Sequence, residues 1–330
     1  MSAITHDRPV RNLGGFGLAL VSAVSFALSG PIGRGLLDAG WTPAAAVAAR
    51  VLIGGLALVP LAVVALRGRW AVLRRSVPLL LAYGLVPVAG TQFAYFTAIK
   101  YLPVGVALLI EFTSPIAVVA WMWLRHAQRP TALTVGGAAL GMSGLVLVLD
   151  LGTGSLSWVG IGWALLAMVG GAAYFVLSAR SDDALPGVVL AAGALLVGGV
   201  ALLLAGAVGL LPFTVTTAEV TLGGATMPWW IPMVALGLIT AALSYATGIG
   251  AARRLGARLA SFCGLMEVVA TLILAWLLLA EVPGELQIAG AALVLAGVAA
   301  VKLGERSPAG GEIAMAADLE GVAELTPRKA

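Results

Sequence analysis

Long apolar stretches alternate with short polar segments along the whole chain, and ten of these stretches stand out. A helix needs about 20 apolar residues to cross the hydrocarbon core of a bilayer. Each stretch approaches or exceeds that length, so the pattern predicts ten transmembrane helices. In chain order, the predicted spans 1 to 10 are Leu13–Ile32, Pro43–Leu66, Val77–Ile99, Pro103–Leu124, Ala132–Leu149, Val159–Ala179, Gly187–Leu211, Trp230–Ala251, Gly256–Leu279 and Leu286–Leu303.

The composition excludes several other classes of protein. Apolar residues make up 61% of the 330-residue chain before its 43 glycines are counted, whereas charged residues make up only 10%. Soluble domains carry about 25% charged residues. A soluble globular protein, a disordered chain and a nucleic-acid-binding protein are therefore excluded, although the net charge is +4. The predicted fold class is an all-α polytopic membrane protein.

Residues that bind metals or form disulfides are scarce. The single cysteine, Cys263, rules out an internal disulfide and a thiolate cluster. The two histidines, His6 and His126, lie in polar stretches near predicted span boundaries. No cofactor or metal is therefore expected. Neither a soluble catalytic domain nor a phosphate-binding loop is present in the sequence, so the protein is not expected to be an enzyme.

Basic residues fall mainly on one side of the predicted spans. With the N-terminus in the cytoplasm, 16 of the 19 lysines and arginines lie in cytoplasmic segments. Only Arg34 and Lys100 lie outside, and Arg50 lies within span 2. Positive charge concentrates in the cytoplasmic loops of membrane proteins. Both termini are therefore predicted to be cytoplasmic.

The two halves of the chain share four short patterns in the same order. The matched segments are 15–20 with 160–165, 42–43 with 185–186, 95–99 with 245–249, and 137–140 with 290–293. Two five-helix repeats are therefore predicted, at residues 13–151 and 157–303. Because five is odd, the second repeat must cross the membrane in the opposite sense. Inverted repeats are typical of secondary transporters, which bind substrate near the bilayer midplane between the repeats.

Two segments lie outside the predicted repeats. Residues 1–12 are predicted to form a cytoplasmic N-terminal segment. Residues 304–330 are rich in Ala, Gly and Glu, and this composition predicts a disordered cytoplasmic tail.

Three ionisable residues lie deep inside predicted spans. At about 1.5 Å per residue, Arg50 lies about 10 Å, Glu111 about 12 Å and Glu267 about 16 Å from the start of its span. A charge at that depth costs on the order of 2.5–3.5 kcal/mol, so it has to be paired, protonated or hydrated. We predict that Glu111 and Glu267 bind a substrate ammonium group or carry a coupled proton, and that Arg50 binds a substrate carboxylate. The alternative is a structural Arg–Glu pair inside the bundle.

Other polar and aromatic residues are candidates for the same binding site. They are Gln92 and Tyr95 in span 3, Tyr174 in span 6 and Tyr245 in span 8. Packing or hydrogen bonding between helices is the alternative role for each of them. Ser114 and Pro115 predict a kink in span 4, because proline removes one backbone hydrogen bond and leaves a carbonyl that can face a cavity.

Several of these motifs resemble those of EamA-type transporters in the drug/metabolite transporter superfamily. The similar segments are 43–50, 98–105, 111–115, 279–281 and 287–293. The pattern is most similar to that of the threonine/homoserine exporter group, which implies a ten-helix exporter of amino acids or similar small metabolites. The family commonly has proline after the glutamate of span 9, where this chain has Val268. The helix break expected there is therefore either absent or displaced.

The function predicted from these features is secondary active transport. The chain is expected to export amino acids or similar small metabolites by alternating access, driven by proton exchange or by the substrate gradient. A passive channel or facilitator and a membrane subunit of a larger complex are the alternatives. The expected partners are a small-molecule substrate, protons and the lipid bilayer, with no nucleic acid, and the chain is expected to be a monomer or a homodimer. Its high Ala, Gly and Arg content and low Lys content suggest a bacterial plasma (inner) membrane.

Overall fold

A computed structural model of the chain describes residues 8–102, 104–148, 157–179, 185–279 and 284–304. The predicted tail after Gly304 and most of the predicted N-terminal segment lie outside these residues. Helices dominate the described part. The first half contains α1 (Arg8–Ala27), α2 (Ser29–Asp38), α3 (Pro43–Leu66), α4 (Trp70–Arg75), α5 (Val77–Tyr83), a π-helical segment (Gly84–Gly90), α6 (Thr91–Tyr101), α7 (Val104–Glu111), α8 (Ser114–His126) and α9 (Ala132–Val148).

The second half has a similar order of helices with two differences. Its first span is the single helix α10, and a short β-hairpin takes the place of α4. Its elements are α10 (Trp158–Ser178), α11 (Gly187–Ala207), β1 (Val220–Leu222), β2 (Ala225–Met227), α12 (Trp230–Gly237), a second π-helical segment (Leu238–Leu243), α13 (Ser244–Leu255), α14 (Ala257–Gly264), α15 (Met266–Leu279) and α16 (Glu285–Gly304).

Eight helical stretches of the described chain are long and apolar enough to cross a membrane, and they coincide with eight of the predicted spans. The fifth predicted span is the shorter apolar helix α9, and the ninth is divided between α14 and α15. Large apolar side chains remain exposed on the outer faces of the bundle, with Leu61 at 60% and Leu204 at 60%. Such continuous apolar exposure is characteristic of a lipid-facing surface.

Two spans are interrupted near their middle by a tight turn. Span 4 breaks at Phe112 and Thr113, where the Thr113 amide donates to the Ile110 carbonyl at 3.1 Å. Span 9 breaks at Leu265, whose amide donates to the Phe262 carbonyl at 3.0 Å. The break in span 9 therefore occurs without a proline, three residues before Val268. Span 9 is thus interrupted although Val268 stands where the family commonly has proline.

Two other spans widen into π-helical turns. Span 3 contains the segment Gly84–Gly90, and span 8 contains the segment Leu238–Leu243. Pro87 lies inside the first segment, where its missing N–H prevents the regular helical hydrogen-bond pattern. Short π-helical turns inside α-helices are frequent at functional sites.

The packing of the helices is symmetric between the two halves. Helix α3 of span 2 packs against α11 of span 7, and α9 of span 5 packs against α16 of span 10. Helix α1 of span 1 packs against α13 of span 8, and the corresponding pair, α10 of span 6 and α6 of span 3, is also in contact. Exchanging the two halves therefore leaves this set of contacts unchanged.

Close contact between α9 and α16 depends on glycines of both helices. A Cβ atom at Gly137 would lie 2.7 Å from the Gly297 carbonyl oxygen, and one at Gly297 would lie 2.6 Å from the Gly137 carbonyl oxygen. The same relation joins Gly144 and Gly290, at 2.5 and 2.6 Å. Backbone-to-backbone contact of this kind needs residues without a side chain, as in membrane GxxxG interfaces.

The prediction of an all-α chain is wrong in one detail, the antiparallel hairpin of β1 and β2. Its turn residues Gly223 and Gly224 both have positive φ, at 56° and 81°. Glycine adopts such angles without steric cost, and Gly-Gly pairs favour two-residue hairpin turns. The hairpin packs on α2.

The α9–α16 contact predicts a sharp difference between two glycine-to-alanine substitutions. Gly297→Ala places a methyl group against the backbone of α9, so we expect a loss of about 1–3 kcal/mol and a lower unfolding temperature. Gly136→Ala is the matched control, because a Cβ there meets no atom within 4 Å. Thermal unfolding in detergent measures both. Equal unfolding temperatures for the two variants would contradict the proposed packing.

Candidate functional site

A cavity of about 350 Å³ lies between the two halves of the bundle. Three spans of each half line it, namely spans 1, 3 and 4 and spans 6, 8 and 9. Its volume is within the range of pockets that bind small molecules, about 300–1,000 Å³. On the α2 side the lining includes Arg34, whose side chain is about half exposed and donates to the Asp38 carboxylate at 2.9 Å.

Two carboxyl groups line this cavity, and each lies beside a helix break. Glu111 is the last residue of α7, and Glu267 lies in the first turn of α15. Both side chains are partly buried. The start of a helix has unpaired amide groups and favours negative charge, whereas the end of a helix does not. The two carboxyl groups therefore occupy electrostatically different positions.

Aromatic rings form much of the remaining wall. The ring of Tyr245 lies edge-on to Phe26 at 5.4 Å and to Tyr174 at 5.6 Å, and Tyr174 contacts Phe175 at 4.9 Å. All four rings line the cavity, as does Tyr95. The Tyr174 hydroxyl is buried beside the Ser22 hydroxyl, which also lines the cavity.

Arg50 is fully buried but does not line the cavity. Its Nη1 atom donates to Gln92 Oε1 at 2.6 Å, and its Nη2 atom donates to the Thr240 carbonyl at 2.6 Å. Its guanidinium carbon lies 5.9 Å from the centre of the Phe26 ring. Since Gln92 and Phe26 both line the cavity, Arg50 lies directly behind the wall.

The hydrogen bonds of Arg50 continue into a chain that joins both halves. Gln92 Nε2 donates to the Tyr245 hydroxyl at 3.3 Å, and that hydroxyl donates to the Pro87 carbonyl at 3.4 Å. The two ends of the chain, Pro87 and Thr240, belong to the two π-helical segments. Three side chains therefore connect the irregular turns of spans 3 and 8.

The structure brings most of the predicted site residues together. Seven of them line the cavity: Glu111, Glu267, Gln92, Tyr95, Tyr174, Tyr245 and Ser114. Two others, Arg50 and Pro115, are not part of the lining. Pro115 follows the break of span 4 at the start of α8, where a missing backbone N–H removes no helical hydrogen bond.

Several residues of the lining have no functional signal in the sequence. Ser22, Thr91 and Ser261 are isolated hydroxyl residues within apolar spans, and Phe26 is one of many apolar side chains. A lone serine or threonine in a membrane helix commonly bonds to a backbone carbonyl one turn away, so it carries no functional signal by itself. Arg34 is predicted from the sequence only as a basic residue on the outer side, and the structure places it at the cavity as well as near solvent.

Comparison with known proteins gives one family and one fold. The family described as the EamA-like transporter family matches this chain twice, over residues 13–150 and 158–303. No curated protein matches the sequence. Twenty-seven chains of solved structures match. One, titled only "Crystal structure of protein", is similar to 91% of this chain over 100% of its own length, with 22% identity and a TM-score of 0.67.

The hydrogen bonds of Arg50 predict the effect of changing Gln92. Gln92→Met removes the acceptor of a buried guanidinium with little change in volume, so we expect a loss of about 2 kcal/mol and a lower unfolding temperature. Gln92→Glu is the matched variant, because its carboxylate still accepts from Arg50, and it should retain the wild-type unfolding temperature. Thermal unfolding in detergent measures both. A Gln92→Met variant as stable as Gln92→Glu would contradict this role of Arg50.

Proposed function

The chain belongs to the EamA-like transporter family and is therefore a multi-pass membrane transporter, and we propose that it is a secondary active carrier of small metabolites that have an ammonium group. Amino acids and similar compounds are the proposed substrates, and export from a bacterial cell is the proposed direction. Transport would proceed by alternating access of the cavity between the two halves. We propose no enzymatic reaction for this chain.

One observation carries this proposal. Glu111 comes from the first half and Glu267 from the second, and both line the cavity that the six spans enclose. Secondary transporters with inverted repeats bind their substrates at the interface of the repeats, beside interrupted helices. The breaks at Phe112–Thr113 and Leu265 adjoin the two glutamates and so fit this mode of binding.

Each glutamate has two possible tasks within the proposed mechanism. An ionised carboxylate attracts a substrate ammonium group, and a protonated one can carry a proton in exchange. Exchange of substrate for proton would let a proton gradient drive export. Tyr95, Tyr174, Tyr245 and Gln92 are proposed to complete the wall around the bound substrate.

Counterflow in proteoliposomes tests the carrier and the role of Glu111. The vesicles are loaded with one amino acid or amine at a time, and uptake of the labelled compound is followed with and without a pH gradient. Wild-type protein should show saturable exchange of at least one compound. Glu111→Gln, which keeps the shape but not the charge, should lower exchange by about tenfold or more and abolish its response to the pH gradient.

Glu285→Gln is the control, because it makes the same chemical change at an exposed residue outside the cavity. It should exchange substrate like the wild type. Unchanged exchange in Glu111→Gln would remove Glu111 from the proposed mechanism and leave the carrier standing. Flux that does not depend on substrate in the opposite compartment would indicate a channel instead.

The proposed topology is ten spans in two inverted repeats with both termini in the cytoplasm. The distribution of basic residues supports it, and so does the packing that stays the same when the two halves are exchanged. In this topology, the segment containing Arg69 faces the cytoplasm and the segment containing Thr217 faces the outside. Both residues are exposed.

Cysteine labelling tests this orientation. The chain has one native cysteine, Cys263, which is buried, so Cys263→Ala gives a background without thiols. In intact cells, a membrane-impermeant maleimide should label Thr217→Cys in this background but not Arg69→Cys. Opened membranes should allow labelling of both variants. Labelling of Arg69→Cys in intact cells would reverse the proposed orientation.

A further inference from the structure

We infer that the cavity selects organic cations, meaning compounds with an ammonium group and an apolar body, over zwitterions that also have a carboxylate. This inference rests on the proposed carrier function and narrows its substrate class. It follows from the charges and hydrogen-bonding groups of the described residues that line the cavity. Two carboxyl groups, several aromatic rings and a set of hydroxyl oxygens face the same space.

The hydroxyl groups of the lining act mainly as acceptors. Ser22 donates its proton to the Ser244 carbonyl at 2.9 Å, and Ser261 donates to the Arg258 carbonyl at 2.7 Å. A hydroxyl has one proton and two lone pairs. Once its proton is bound to a backbone carbonyl, only lone pairs remain for a ligand.

The same pattern holds for two further residues of the lining. Thr91 donates to the Val86 carbonyl at 3.1 Å. Tyr245 donates to the Pro87 carbonyl at 3.4 Å, and one of its lone pairs accepts from Gln92 Nε2 at 3.3 Å. Together with Glu111 and Glu267, these oxygens offer a ligand many acceptors. An ammonium group is the complementary ligand, since it has three donors and no acceptor.

The described residues provide little that could bind a carboxylate. Arg50 is fully buried, but it lies behind the wall and donates to Gln92 and Thr240. Arg34 lines the cavity near solvent, and Asp38 balances its charge. The neutral hydroxyls of Ser29, Ser114, Tyr95 and Tyr174 can donate hydrogen bonds, but they do not neutralise a negative charge.

Aromatic rings complete the complementarity to a cation. Phe26, Tyr174, Phe175 and Tyr245 lie in consecutive edge-to-face contact along the wall. Their ring faces attract cations, and their apolar area shields an apolar body from water. The Tyr174 hydroxyl also lines the cavity and provides one more polar contact for the ligand.

Three compounds with the same aromatic body separate the charge states. Phenethylamine is a cation, phenylalanine is a zwitterion and 3-phenylpropanoate is an anion. Their exchange is measured by counterflow in proteoliposomes, and their binding by the rise in unfolding temperature that a ligand causes. Phenethylamine should half-saturate exchange at a concentration about tenfold or more below that of phenylalanine, and 3-phenylpropanoate should not exchange.

The binding measurement extends this test to variants. Glu111→Gln should reduce the preference for phenethylamine over phenylalanine by about tenfold, whereas Glu285→Gln should leave it unchanged. The preference of the wild-type protein for phenethylamine over phenylalanine is measured without any variant. The inference can therefore be contradicted even if Glu111→Gln does not fold.

Two results would overturn the inference in different ways. Phenylalanine that exchanges as well as phenethylamine, or better, would show that the cavity accepts a carboxylate, and only the selectivity would be wrong. Arg50 would then regain its predicted role as the carboxylate partner. No saturable exchange of these compounds or of the amino-acid panel, from protein with normal thermal unfolding, would overturn the carrier proposal as well.

Discussion

Inside a bilayer, every backbone N–H and C=O group needs a partner within the protein, and this constraint determines where the helices of this chain can be irregular. Ala27 and Ser29, which lie on either side of Leu28 where α1 ends and α2 begins, line the cavity. Residues beside the breaks at Phe112–Thr113 and Leu265 also line it. Pro87, within the first π-helical segment, lines it too. Irregular backbone is tolerated at membrane depth only where protein or a water-filled space surrounds it. The cavity is therefore where the breaks concentrate.

Burial of Arg50 follows from the same irregularity. A regular helix uses its carbonyl groups internally, but the Thr240 carbonyl in the second π-helical segment accepts from both Arg50 and Ser244. Gln92 provides the other acceptor, and its Nε2 atom donates to the Tyr245 hydroxyl. A guanidinium that would be costly in lipid is thereby bound to polar groups of spans 3 and 8. This arrangement joins the two halves on one side of the cavity.

The two halves are symmetric in their packing but not in their chemistry. Glu111 ends a helix, whereas Glu267 lies in the first turn of one, so the partial charges of the backbone act on them with opposite sign. The break of span 4 is followed by a proline at the second position of the next helix, whereas the break of span 9 is followed by Met266 and Glu267. A carrier needs two conformations of similar free energy. Local differences between the repeats allow the free energy of each conformation to be changed separately.

The sequence by itself determined the class of protein, the positions of eight apolar spans that the structure also has, and the three ionisable residues inside predicted spans. These features depend on hydrophobicity and length, which are local properties of the chain. The glycines of α9 and α16 were also visible as a repeated pattern, and the family resemblance agreed with the two matched stretches.

Only the tertiary structure decided which deep polar residues share a space. Glu111 and Glu267 line one cavity although more than 150 residues separate them, whereas Arg50, at a similar depth, is directed behind its wall. Ser22 and Thr91 also line the cavity. The direction in which a side chain points depends on the rotation of its helix and on its neighbours in other spans. No local pattern in the sequence encodes either of these.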